Sequence, residues 1–226
     1  MEQLSKNTVS AKNQLKSSEF IKFTDAENQG LRVIFLGNSI TLHGVKADIG
    51  WHNAWGMAAS AEEKDYVHIL MRYIREKVSN PAFCICQGAK WEVHYKEEID
   101  FYDQYAAARD FSADVIIVRL IENCGGKDFD GDKFKKELMQ FIKYLSPEKT
   151  PKLIFTTSFW KHPGDKFIEE LAEENNSPLV KLGDLGDNKE MMAIGLFEHE
   201  GVSIHPGDKG MQTIADRIYD VLKDII

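Results

Sequence analysis

The chain has 226 residues, 43% hydrophobic and 28% charged, which suits one domain with a large buried core. Its formal net charge of −8, with no block of lysine or arginine, argues against nucleic acid and anionic membranes as partners, because both need a basic footprint. No apolar run approaches the ~20 residues that span a bilayer, and the polar N-terminus lacks the apolar centre of a secretory signal, so the expected setting is the cytoplasm.

Residues 1–28 are polar and weakly patterned, and are expected to form a tail or a surface helix ahead of a single domain over 29–226. LRVIFLG at 31–37 is the first predicted strand. Residues 63–78 place Tyr66, Ile69, Leu70, Tyr73, Ile74 and Val78 at helical spacing. AFCICQG at 82–88 is the second strand, with Cys84 and Cys86 packing on one face as small hydrophobes. Three cysteines, two of them one residue apart, do not make a disulfide framework. Residues 113–123 form a third apolar run, followed by a helix over 132–145 on Phe134, Leu138, Phe141, Ile142 and Leu145. A fourth strand at 151–158, a helix at 165–175, a weaker strand at 177–183 and a helix at 208–225 complete the series, with Asp165 and Asp208 as the expected N-caps of their helices. Continuous apolar runs suit strands buried on both faces. Their alternation with helices predicts a three-layer α/β/α, flavodoxin-like domain on a mostly parallel five-stranded sheet. Ligands of such sheets bind beyond the carboxyl ends of the strands.

Those ends read GNSIT, QGAKW, ENCGG and TSFWKH, so Ser39, Gly88, Asn123 and Trp160 each stand at or just past one. GVSIHPGDKGM brings His205 to the start of the last helix. Taken singly, each residue has a plain reading: Ser39 caps a turn, Asn123 forms one, Gly88 ends a strand, and His205 precedes a proline. Together they are the parts of acyl transfer, with a nucleophile, a base and oxyanion donors. A serine hydroxyl needs a base to take its proton, and imidazole, with an ordinary pKa near ~6.5, suits neutral pH.

GNSIT, CICQGAKWE, VIIVRLIENC and GVSIHPGDKGM resemble the four blocks of the SGNH (GDSL-type) hydrolases, with Asn38 where the first block usually has Asp. The blocks span 33–211. The resemblance implies a flavodoxin-like esterase with Ser39 as nucleophile and His205 as base. It also implies that Gly88 N–H, Ser39 N–H and the Asn123 amide bind the oxyanion. In the family an Asp usually stands three residues before the histidine, and here that position is Val202. Ser39 and His205 then act as a dyad, or another group orients the ring: a backbone carbonyl first, Glu200 or Glu198 next. A carbonyl fixes the tautomer but adds no full charge, which implies a competent but modest esterase.

The aromatic stretch 50–63 offers Trp51 as a wall of the substrate pocket or as core, with Trp160 the better rim residue. Glu122 is expected to pair with Arg119 or solvent. No metal or cofactor is expected. There is no HExxH and no CxxC, and the spacing of Gly37 and Gly44 fits neither GxGxxG nor a P-loop. GNSIT also lacks the second glycine of a GxSxG elbow. The expected substrate is a small acyl ester, such as an acetyl group on a sugar. The competing readings are a catalytically weak carbohydrate-binding module and a flavodoxin-like anion binder that cradles phosphate on the GNSIT amides.

Overall fold

A computed structural model describes residues 20–97, 102–125 and 128–226. Six strands form one sheet: β1 (Ile21–Thr24), β2 (Arg32–Gly37), β3 (Ala82–Gln87), β4 (Val115–Arg119), β5 (Lys152–Thr156) and β6 (Leu179–Val180), in the order β1-β3-β2-β4-β5-β6. The five strands from β2 onward pair in parallel, and β1 pairs antiparallel with β3, Ile21 opposite Cys86. All five strands expected from apolar runs are present. The sixth lies inside the stretch assigned to a tail or surface helix, so the sheet starts at Ile21 rather than after residue 28. Residues 1–19 of that stretch lie outside the described residues.

Without β1 the order has the flavodoxin-like form, in which the chain reverses direction across the sheet beside its first strand. Here that strand is β2, flanked by β3 and β4. Alternation along the strands divides the core in two. Ile34, Leu36, Cys84, Cys86, Ile116 and Val118 face the short helices α1 (Ala89–His94) and α2 (Ala106–Asp110) and the longer α3 (Gly131–Leu145) and α4 (Asp165–Glu174). Val33, Phe35, Phe83, Ile85, Val115 and Ile117 face helices 66–77 and 208–222. Each such side chain removed fully from water contributes about 1.5–3 kcal/mol, so the sheet is a rigid floor for whatever its strand ends carry.

Two expected caps are corrected. The N-cap of α4 is Gly164 and that of the helix at 208–222 is Gly207, so Asp165 and Asp208 each stand one step inside. Their carboxylates are used in tertiary contacts instead. Asp165 accepts from Ser158 N–H and Oγ–H, and Asp208 from Ser60 N–H and Oγ–H. The second contact ties the helix that follows His205 to the segment that follows Ser39.

Candidate active site

β2 delivers Gly37, Asn38 and Ser39 to the rim. A Cβ at Gly37 would collide with the Thr41 side chain, so the turn closes only over glycine. Thr41 and Leu42 N–H both donate to Asn38 O, at 2.9 and 3.0 Å, and Met57 N–H donates to Ser39 O at 2.9 Å. These bonds fix the backbone on both sides of Ser39. On the other side of the rim, Ala193 N–H donates to His205 O and Gly207 N–H to Met191 O, each at 2.9 Å. A Cβ at Gly210 would strike Met191 O, which explains the glycine on the first turn of that helix.

The two segments meet. Ser39 Oγ lies 2.9 Å from His205 Nε2, and His205 Nδ1 lies 2.6 Å from Gly201 O. A carbonyl only accepts, so Nδ1 carries the proton and Nε2 presents its lone pair to the serine hydroxyl. Burial, partly offset by the Gly201 bond, lowers the His205 pKa to about 4. Trp160 stands edge-on to the imidazole, with ring centroids 5.1 Å apart.

A buried polar network supports the rim from below. Asn38 Nδ2 donates to Glu122 Oε2 at 2.6 Å and to Glu92 Oε1 at 3.1 Å, while Asn38 Oδ1 accepts from Arg119 Nη1 at 3.0 Å. Arg119 also pairs with Glu122, and both side chains are almost wholly out of solvent. Glu122 Oε1 accepts from Phe159 N–H at 3.0 Å. Glu92, on α1, is fully buried. It accepts from Ile121 N–H and from the Asn123 side-chain amide, each at 2.5 Å. Asn123 therefore stands at the exposed end of a chain of contacts that begins beside Ser39.

No family model matches the chain, and no curated protein does. Solved structures do. A two-domain esterase active on acetylated mannans superposes with a TM-score of 0.54 at 16% identity over 86% of this chain, which spans about half (49%) of that one. An acetyl xylan esterase aligns at 0.52 and 21% identity over 84% of this chain and 98% of its own. A member of the lipolytic G-D-S-L family from Veillonella parvula aligns at 0.52 and 16% identity, over 85% and 98% of the two chains. The chain has the SGNH hydrolase-like fold.

Within this SGNH hydrolase-like fold, the four block residues fare differently. Ser39 and His205 are in hydrogen-bond contact across a sequence separation of 166 residues. Gly88 N–H does not face the rim. The parallel ladder that pairs Gly37 with Gln87 continues one residue further, and Gly88 N–H donates to Gly37 O at 2.6 Å. Ser39 N–H has no partner among the described residues, and Asn123 engages Glu92 through its side-chain amide.

Trp51 is corrected as a pocket wall. It is fully buried against Met57, Ala58, Ala193 and Val202, with Nε1–H donating to His43 O. Trp160 is half-buried beside the imidazole. Glu122 pairs with Arg119 even though β4 ends at Arg119 and Glu122 lies in the turn beyond it. Sequence reasoning missed Glu92; it expected a backbone carbonyl on His205 Nδ1, and that carbonyl is Gly201's. An acid between Trp91 and Val93, and an arginine within the apolar run VIIVRLI, were the available signals for the network.

Proposed function

We propose that this chain is a serine esterase that hydrolyses a small acyl ester, an acetyl group on a carbohydrate being the substrate class in view. The contact between Ser39 Oγ and His205 Nε2 carries the reading. His205 is neutral over the physiological range because burial lowers its pKa, and the Gly201 carbonyl fixes the tautomer with Nε2 free. Ser39 Oγ attacks the ester carbon while its proton passes to Nε2. Ser39 N–H and the Asn123 amide hold the developing oxyanion. Collapse expels the alcohol, which leaves with the proton from Nε2. Water, losing a proton to the same nitrogen, attacks the acyl carbon, and as the Oγ–acyl bond breaks Nε2–H returns that proton to Ser39 Oγ and the acid leaves.

The imidazolium formed on the way has a dipole, not a carboxylate, on Nδ1, and the favourable charge of Glu122 is outweighed there by that of Arg119. The expected rate is accordingly modest. An exposed Asn123 and an only partly buried Ser39 leave the rim open to a bulky alcohol. Fold neighbours that act on acetylated mannans and xylan support a carbohydrate on that side.

The test compares the wild type with Ser39→Ala on p-nitrophenyl acetate and acetylated xylo- and manno-oligosaccharides. A loss of at least about a thousandfold is expected, together with fluorophosphonate labelling of the wild type alone. Hydrolysis that persists in the variant would defeat the reading.

A further inference from the structure

Glu92 and Glu122 both accept from one amide group, Asn38 Nδ2, while the cation of the network, Arg119, pairs with Glu122. Arg119 pairs with Glu122 and turns its other guanidinium nitrogen to Asn38 Oδ1, so among the described residues no positive group touches Glu92. With both acids ionised, the network would hold an uncompensated negative charge out of water, which is strongly disfavoured. With Glu92 un-ionised, Arg119 and Glu122 balance one to one. The contacts agree. Glu92 Oε1 is already occupied by Ile121 N–H and Asn38 Nδ2, which leaves Oε2 for the proton. Oε2 faces the Asn123 carboxamide at 2.5 Å, a separation typical of O–H···O and short for N–H···O. The two ends of a carboxamide have the same shape, so the amide takes whichever orientation its partner requires.

Resting on the esterase reading above, we propose that Glu92 is the positioning residue of the oxyanion site: its Oε2–H donates to Asn123 Oδ1 and turns the whole Nδ2 group of Asn123 toward the substrate oxygen. Ionisation of Glu92 reverses the arrangement. The carboxylate then captures an Nδ2 hydrogen, the amide turns over, and Oδ1 faces the oxyanion.

The groups around Glu92 leave it as the one that switches. Glu122 and Arg119, from the end of β4, form their own ion pair. Tyr105, from the segment before α2, and Cys124, from the turn after β4, are both pushed far up by burial and stay neutral. Burial, reinforced by the charge of Glu122, raises the Glu92 pKa to about 8.

The test is the pH profile of Glu92→Gln beside wild type, with Ser39→Ala as the blank. Gln reproduces the un-ionised form, with an N–H donor toward Asn123 and a carbonyl toward Ile121. Wild-type kcat should fall about 10–100-fold from about pH 7 to pH 10, with KM unchanged, as one oxyanion donor is lost. Glu92→Gln should keep kcat within about threefold at pH 7 and show no such decline. An alkaline decline that survives in Glu92→Gln, or a loss at pH 7 as deep as that of Asn123→Ala, overturns the proposal. An infrared band of un-ionised carboxyl should also be present in folded wild type at pH 7 and vanish as pH rises. Its absence overturns the proposal even if Glu92→Gln does not fold. Activity persisting in Ser39→Ala would instead sink the esterase reading, leaving the infrared result to stand alone.

Discussion

His205 Nδ1 lies 2.6 Å from the carbonyl oxygen of Gly201, so a backbone acceptor four residues upstream orients the imidazole that faces Ser39. The SGNH resemblance would put a carboxylate at position 202, but the Val202 side chain turns the other way, into the cluster with Trp51, Met57, Ala58 and Ala193. Val202→Asp should therefore not rebuild a triad. It should bury a charge among apolar groups, lower stability by about 3 kcal/mol or more, and leave kcat no higher. Urea unfolding and ester hydrolysis on the same preparation check both halves.

The lowered pKa of His205 has consequences for activity and stability alike. The acid limb of kcat/KM should fall near pH 4, well below the ordinary histidine value. The unfolded chain takes up a proton on this residue as pH drops below about 6.5, while the native site refuses it until about 4, so stability is lost as pH falls through that window. Glu92 works in the opposite sense, because its raised pKa makes the native state the better proton binder from about 8 down to the ordinary carboxyl value. Comparing wild type with His205→Ala isolates the histidine. Between about pH 7 and pH 4.5 the wild type should lose about 2–3 kcal/mol more than the variant in urea titrations.

Asn123 is exposed, and its one described contact is with Glu92. Asn123→Ala should fold normally and lose about 2.7–4 kcal/mol of transition-state stabilisation, roughly a hundred- to a thousandfold in kcat. KM should change little, since the oxyanion exists only in the transition state. Steady-state kinetics on p-nitrophenyl acetate, with a thermal melt as control, check the split.

Asn38 occupies the position where the resemblance leads one to look for Asp. Here the carboxamide donates to Glu122 and Glu92 and accepts from Arg119. Asn38→Asp would remove both donations and set a third carboxylate between two others. A loss of about 2–4 kcal/mol at pH 7 is expected, partly recovered near pH 5 as the acids take up protons. Denaturation midpoints at the two pH values check the sign.

The strands and long helices were legible in the sequence because their signal is local. LRVIFLG and VIIV are apolar on both faces, and the helices at 66–77 and 131–145 repeat apolar residues at the period of their own backbone. The order of the Ser39 and His205 blocks along a strand–helix alternation was enough to send both to one rim. β1 was not legible, since four residues of IKFT among polar neighbours become a strand only by pairing with β3. Asp165 and Asp208 satisfy the local rule for caps, but Ser158 and Ser60, brought in by the fold, claim their carboxylates. Trp51 reads equally well as pocket wall or core until its neighbours 193 and 202 are in place. The direction of the Gly88 amide, the identity of the carbonyl that holds His205, and the pairing of Arg119 with Glu122 rather than Glu92 depend on which backbones lie side by side. Hydrogen bonds and charge balance act through space at about 3 Å, and a linear order of residues carries no such distances until the sheet sets them.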